Sequence, residues 1–144
     1  MPNKKHLFIA FGFTLVALLF AGCGQNVRLT GTVTFSDDGS PLTTGTVVFI
    51  KDGTMSRGDI KPDGTFVVGS LGERDGLPPG TYNVHISGAL EVVSVSDGGD
   101  ASYRSLIDEK MADRNRSELT VEVTARTKVL DIQVDRPATN RTRR

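Results

Sequence analysis

The sequence predicts an all-β protein: an antiparallel β-sandwich of about seven short strands with one short helix, preceded by a helical signal peptide. Three observations predict it. Apolar residues recur with a period of two through most of the chain, the spacing that turns alternate side chains to opposite faces of a sheet. Asp-Gly pairs at Asp38-Gly39, Asp52-Gly53, Asp63-Gly64, Asp75-Gly76 and Asp97-Gly98 interrupt these runs, and Asp-Gly supplies the positive backbone angles that tight turns need. A length of 144 residues is that of one domain, so the strands are expected to share one core.

The elements follow in order. Leu29, Gly31, Val33 and Phe35 alternate with Arg28, Thr30, Thr32 and Thr34. Thr46 to Ile50, TVVFI, is apolar on both faces, as a central strand would be. Thr65 to Val68 comes next, and the proline-fixed turn LPPGTY then leads into the alternation of Tyr82, Val84 and Ile86. Near the end Leu119, Val121, Val123 and then Leu130, Ile132, Val134 alternate with Thr, Glu, Asp and Gln. The helix is expected within Tyr103 to Arg116, where Tyr103, Ile107 and Met111 stand at i, i+4 and i+8 and would face the sheet.

Ahead of the strands the chain reads as a secretory leader, residues 1–22. Lys4, Lys5 and His6 form a basic start, Leu7 to Phe20 is an uncharged apolar run, and Ala21-Gly22 supplies small residues before Cys23. The run falls short of the roughly 20 residues a spanning helix needs. Residues 23–26 then form an anchor and short spacer, 27–135 the β-sandwich domain, and 136–144 a basic tail expected to be disordered. Setting aside Lys4 and Lys5 leaves 15 of the 17 basic side chains against 17 acidic ones, about −2, which gives no reason to expect a nucleic-acid partner.

The segment FAGC resembles the lipobox of bacterial lipoproteins. Phe20, Ala21 and Gly22 fall on the signal-peptidase recognition positions, with Phe20 where the pattern prefers Leu, Val or Ile. The resemblance implies that Cys23, the one cysteine of the chain, carries diacylglycerol and a further acyl chain such as palmitate after cleavage. More than one acyl chain is what stable anchoring requires. Two other readings stand beside it: an ordinary secretory signal cut elsewhere, with Cys23 an incidental thiol, or a buried structural cysteine.

A second resemblance covers residues 27–135. Gly31-Thr32-Val33-Thr34-Phe35, Asp38-Gly39-Ser40-Pro41-Leu42, Gly45-Thr46-Val47-Val48-Phe49, Asp63 to Phe66 and Pro78 to Val84 are similar to the carboxypeptidase regulatory-like, transthyretin-like (prealbumin-like) β-sandwich. More narrowly, they resemble small planctomycete-type envelope lipoproteins that carry it. In the later element, Asp108 and Met111 stand where that family has proline and tyrosine. The resemblance implies a fold and brings no catalytic residues.

The residues themselves point away from catalysis. His85 is the one histidine beyond the leader, too few donors for the three or four ligands of a zinc site, so neither metal nor cofactor is expected. Asp97 and Asp100 share a loop but lack the EF-hand ladder. Ser70 lacks the glycine frame of a nucleophile elbow, since Val68 holds the first glycine position. Asp108 and Glu109 are adjacent and would diverge on a helix. Of the five aromatics beyond the leader, Phe35, Phe49, Phe66 and Tyr82 are expected in the core and Tyr103 alone outside it.

The expected function is therefore a non-catalytic structural or protein-interaction module, with edge strands and loops as the contact surface. The alternative is a periplasmic accessory module for carbohydrate or peptide ligands. The expected partners are a membrane, through the N-terminal lipid, and an envelope protein or polymer. Gly24 in place of an inner-membrane retention aspartate favours the outer membrane, facing the periplasm. Replacing Cys23 by Ser is expected to release the protein from membranes or leave the uncleaved precursor. Fractionation and intact mass check this, and a mutant that stays membrane-bound at the mature size would remove the anchor reading.

Overall fold

The computed structural model describes residues 26–69 and 75–138. The expected signal peptide with Phe20, Ala21 and Gly22, the expected anchor Cys23, Ser70 and residues 139–144 lie outside the described residues. Within them the strands are β1 (Thr30–Phe35), β2 (Thr46–Lys51), β3 (Thr54–Asp59), β4 (Thr65–Val67), β5 (Gly80–Ser87), β6 (Leu90–Val95), β7 (Ala101–Ser105), β8 (Thr120–Val123) and β9 (Val129–Val134), with one helix, α1 (Glu109–Ala112). A three-stranded sheet, β4-β1-β9, faces a four-stranded sheet, β3-β2-β5-β8, and these strands make the sandwich; β6 and β7 form a separate two-stranded ribbon. The all-β sandwich with a short helix is thus as the sequence predicts.

The period of two decides which side chains meet. Val33 and Phe35 of β1, Ile132 and Val134 of β9 and Phe66 of β4 point inward from one sheet. Val47 and Phe49 of β2, Tyr82, Val84 and Ile86 of β5, and Val121 and Val123 of β8 point inward from the other. Leu29, Leu42, Leu77 and Ile107 close the ends of this core with no exposed surface. β2 is the central strand expected from TVVFI, flanked by β3 and β5 in antiparallel register, and Val48 on its outer face is buried as well.

Phe66 sets the spacing between the sheets. Its ring lies over Gly31, its register partner on β1, where an added Cβ would come within 2.5 Å of the ring tip and also strike the Leu130 carbonyl oxygen. Across the interior the ring meets Phe49 at a centroid distance of 6.3 Å, and Phe49 meets Tyr82 edge-on at 6.2 Å. The Tyr82 hydroxyl donates to the Pro78 carbonyl at 2.6 Å, so the turn before β5 is tied to the core. Burial raises the Tyr82 pKa, and Asp52 adds to the effect.

Several local expectations change. β1 and β9 run parallel, in register from Thr30 and Val129 to Phe35 and Val134, where an antiparallel sheet is expected throughout. The first and last of the described strands thus lie side by side, with the other sheet's strands between them in sequence. The helix expected over Tyr103 to Arg116 is confined to Glu109–Ala112. Tyr103 belongs to β7 and pairs with Val92, so it does not face the sandwich; Ile107 and Met111 do pack on the core. Asp108 starts the short helix by accepting from the Lys110 amide, and Asp113 ends it in extended conformation while accepting from the Asn115 amide. One turn is too short for a hydrophobic stripe. At the Asp97-Gly98 turn the positive φ falls on Gly99 (+88°). Asp52-Gly53 does carry two positive φ angles, 48° and 78°, the geometry of a two-residue hairpin turn joining β2 to β3.

The strand directions give the sandwich two distinct ends. Val27, bridged to Leu77, sits at the start of β1, together with the turn from β8 to β9 and the Asp52-Gly53 turn. The opposite end, roughly 17 Å away at 3.3 Å per residue along β1, holds the loop after Phe35, the base of the β6–β7 ribbon, and Asp108, whose amide donates to the Asp135 carbonyl. Gly31→Ala is expected to lower stability by about 1–3 kcal/mol through overpacking against Phe66. Urea unfolding measures it, and an unchanged midpoint would mean that the ring does not depend on Gly31 for its seat.

Candidate functional site

The surface that departs most from an ordinary β-domain is the ribbon. β6 is LEVVSV and β7 is ASYRS; valines and tyrosine favour the extended chain, and Ser96 closes the turn by donating its amide to the Asp100 carbonyl while its hydroxyl accepts from the Asp100 amide. The register shifts between Val92 and Ser94, a bulge that places Val93 out of the ladder. Arg104 Nε donates to Glu91 at 2.7 Å across the two strands. Among the described residues the ribbon packs on nothing along most of its length. Val92, Val93 and Val95 are 57%, 56% and 64% exposed and Tyr103 62%, with Leu90 close behind.

A monomeric domain ordinarily scatters its exposed apolar residues singly, whereas five of the seven exposed large apolar residues among those described stand on this one hairpin. Each strand of a two-stranded ribbon also keeps one outer edge of backbone amides and carbonyls available for a further strand. No strand is expected from sequence over LEVVSV, although its three valines ahead of Asp97-Gly98-Gly99 are the composition of a hairpin arm. The alternation of small and apolar residues there has no buried face to reveal, which is why the periodic signal is weak.

At the same end Arg136 fastens the chain after β9. Its guanidinium stacks 3.7 Å from the centroid of the Phe35 ring, while Nε donates to Asp37 at 2.9 Å and Nη2 to Asp38 at 3.0 Å and to the Ser40 hydroxyl at 3.1 Å. Asp38 also accepts from the Ser40 hydroxyl (2.6 Å) and amide (2.9 Å). These Ser40 bonds, with Arg136 beside them, hold its pKa down at about 2. Ser36 and Asp135 hydrogen-bond nearby. Arg136, where the basic tail is expected to start, is thus held by the β1–β2 loop.

The residues weighed for chemistry do not converge. His85 points outward from β5, half-buried, and burial followed by the Arg114 charge keeps its pKa below the ordinary value while Asp113 opposes them. Asp97 and Asp100 occupy the ribbon tip. Asp108 caps α1 and Glu109 pairs with Arg116. Asp63, like Asp38, accepts from the side chain and amide of the residue two positions on, Thr65, which lowers its pKa. Among the described residues no three His, Cys, Asp or Glu side chains are grouped to hold a metal ion. Among them, too, no helix is long and apolar enough to cross a membrane.

No protein family matches the chain, and no curated protein is similar to it. Among solved structures, the chain is similar to the major pilin subunit of Bacillus cereus at 10% identity and a TM-score of 0.47, covering 79% of this chain and 30% of that one. It is also similar to a 9R-lipoxygenase from Cyanothece PCC8801 at 16% identity and a TM-score of 0.38, covering 76% of this chain and 16% of that one. At these scores neither assigns an activity here.

Because the folded Asp38 carboxyl titrates below its ordinary 3.8, its contacts add stability that is present above pH 4 and is lost as pH falls toward about 2. A carboxyl-carbon NMR titration is expected to show the Asp38 midpoint near 2. Ser40→Ala should raise it further toward 3.8 than Arg136→Gln does, because the Ser40 bonds dominate. Equal titration in all three proteins would contradict this account of the loop.

Proposed function

We propose that the protein is a non-catalytic, membrane-anchored envelope lipoprotein, held through Cys23, whose β-sandwich carries the β6–β7 ribbon as a protein-contact surface. The observation that carries this reading is the ribbon itself: Leu90, Val92, Val93, Val95 and Tyr103, 46–64% exposed, on one hairpin whose outer edges pair with no described strand. Apolar surface of this kind favours association when it is withdrawn from water. The occupant proposed is an extended segment of a partner protein, added along a ribbon edge, with backbone hydrogen bonds giving affinity and alternate side chains giving specificity.

The lipobox-like FAGC and the transthyretin-like motifs support the anchored part of the reading, and the outer membrane, facing the periplasm, is the proposed location. The position of the ribbon fits it. Val27 enters the sandwich at one end and the ribbon leaves from the other, so a chain tethered at Cys23 would hold the ribbon away from its own membrane. The rival reading, a carbohydrate- or peptide-binding module, draws on the exposed Tyr103 ring, which a sugar face could cover.

A photoreactive residue in place of Tyr103 is expected to give discrete protein adducts in the producing cells, and one in place of Gln133 on the outer face of β9 to give none. Val92→Lys with Val95→Lys should abolish the adducts without moving the melting temperature, since both positions are exposed. Adducts of equal pattern from both positions would overturn the ribbon as the contact surface. A glycan-dependent thermal shift lost in Tyr103→Ala would favour the rival.

A further inference from the structure

At the end of the sandwich where Val27 enters, the structure presents an exposed basic corner. Arg28 precedes β1, and Arg126 and Lys128 lie on the turn from β8 to β9, which is brought beside them because the Thr30 amide donates to the Lys128 carbonyl at 3.1 Å. The turn is shaped from within: the Thr124 amide donates to the Thr127 hydroxyl at 3.0 Å and the Thr127 amide to the Thr124 carbonyl at 3.0 Å. None of the three cations forms a salt bridge to a described residue. Between them an open cleft of about 480 Å³ is lined by Arg28 and Lys128 with Val27, Ala125 and Val129, and no carboxylate lines it. Val129 is 65% exposed beside these charges. The nearest acid along the outer face of β9 is Asp131, which accepts from the Thr32 hydroxyl at 2.6 Å; Asp52 and Asp75 lie in other loops of the same end.

We propose that this corner docks on an anionic phospholipid surface, Arg28, Arg126 and Lys128 meeting headgroup phosphates and Val129 the interface. The proposal rests on the reading of Cys23 as the attachment point. Two observations favour lipid as the occupant. One is charge complementarity: three cations without a salt bridge to any described residue, around an exposed valine, match a negative surface with an apolar layer beneath. The other is the length of chain outside the described residues. Four backbone steps separate Cys23 from Val27, a reach of roughly 14 Å at most, so a lipid on Cys23 holds this end, and no other, against the bilayer.

Each cation is worth roughly a fivefold gain in partition to an anionic surface at moderate salt. Three such contacts are weak for a free domain, but the tether makes the encounter intramolecular, where an effective concentration near the millimolar range suffices. The domain would then stand with its first strand steeply inclined to the membrane and the ribbon outermost.

The test is amide hydrogen exchange on the full chain reconstituted into vesicles, comparing phosphatidylcholine alone with a phosphatidylglycerol mixture. Amides of residues 27–28 and 125–129 are expected to exchange several-fold more slowly on the anionic vesicles, and salt near 0.5 M should remove the difference by screening. The triple variant R28E/R126E/K128E should remove it too, while the protein still floats with the vesicles and melts as before. Equal exchange on both lipids, with flotation intact, would overturn the docking and leave the anchor standing. A chain that fails to float rejects the anchor reading instead. Its Cys23 thiol, then unmodified, can be coupled through maleimide to a lipid headgroup, and the same exchange comparison decides whether the corner docks.

Discussion

The structure depends on one ring having somewhere to lie. Phe66 is the only inward side chain of the three-residue strand β4, and it must reach from one sheet to Phe49 in the other. It does so by lying over Gly31 on β1 and against Gly58 on β3, where an added Cβ would come within 3.2 Å of the same ring. Those two glycines stand in strand interiors, where glycine weakens a strand by leaving no side chain to pack. Here the ring supplies the missing packing from a neighbouring strand, and so the weakness is offset. Phe49 then hands the contact to Tyr82, whose hydroxyl holds Pro78. A short edge strand, two sheets and a proline turn are fixed by one line of aromatics.

With the sheets fixed, the turns decide what each end can do. Asp38, Asp63 and Asp113 each accept from the amide two residues on, so their carboxylates serve the backbone and are committed to local structure. These three aspartates are therefore not free to gather into a site. What remains exposed differs by end: Leu90, three valines and Tyr103 on the ribbon at one, and at the other Arg28 and Lys128, without a salt bridge to a described residue, beside Val129. The division follows from topology, since β5 delivers the chain to the ribbon end and the β8–β9 turn returns it to the basic one.

Much of the sandwich was legible because burial writes itself into period two. Leu29 to Phe35, Val47 to Phe49, Tyr82 to Ile86, Val121 to Val123 and Ile132 to Val134 all bury the residues their alternation nominates. What stayed hidden lacks a buried face. β3 reads TMSRGD, an edge strand whose inward residues are the small Ser56 and Gly58, so no hydrophobic alternation marks it. The ribbon buries almost nothing. Tyr103, Ile107 and Met111 hold helical spacing by coincidence: the chain is extended at Tyr103, turns at Ser105, where the hydroxyl donates to the Ile107 carbonyl, and becomes helical only after Asp108. The β1–β9 pairing joins residues about a hundred apart and has no local signal in parallel register. The ribbon surface was invisible for the same reason that it is a candidate site, since nothing among the described residues covers it.

That exposure is bounded by the ribbon's own construction. A long flat apolar edge would template indiscriminate pairing. Here the ladder is interrupted at Val93, which leaves Leu90 to Val92 and Ser94 to Val95 as two short, separately twisted stretches. Glu91 and Arg104 set a charge pair across the first, and Asp97 and Asp100 stand at the tip beyond the second. Along the β6 edge an added strand can follow one stretch for only two or three residues before the bulge turns the hydrogen-bonding edge away. Backbone pairing on that edge is then short, and side-chain contacts with Val92 and Val95 would have to add to it. On the β6 side the bulge thus shortens the edge open to an added strand, while the β7 edge, Ala101–Ser105, runs without a break.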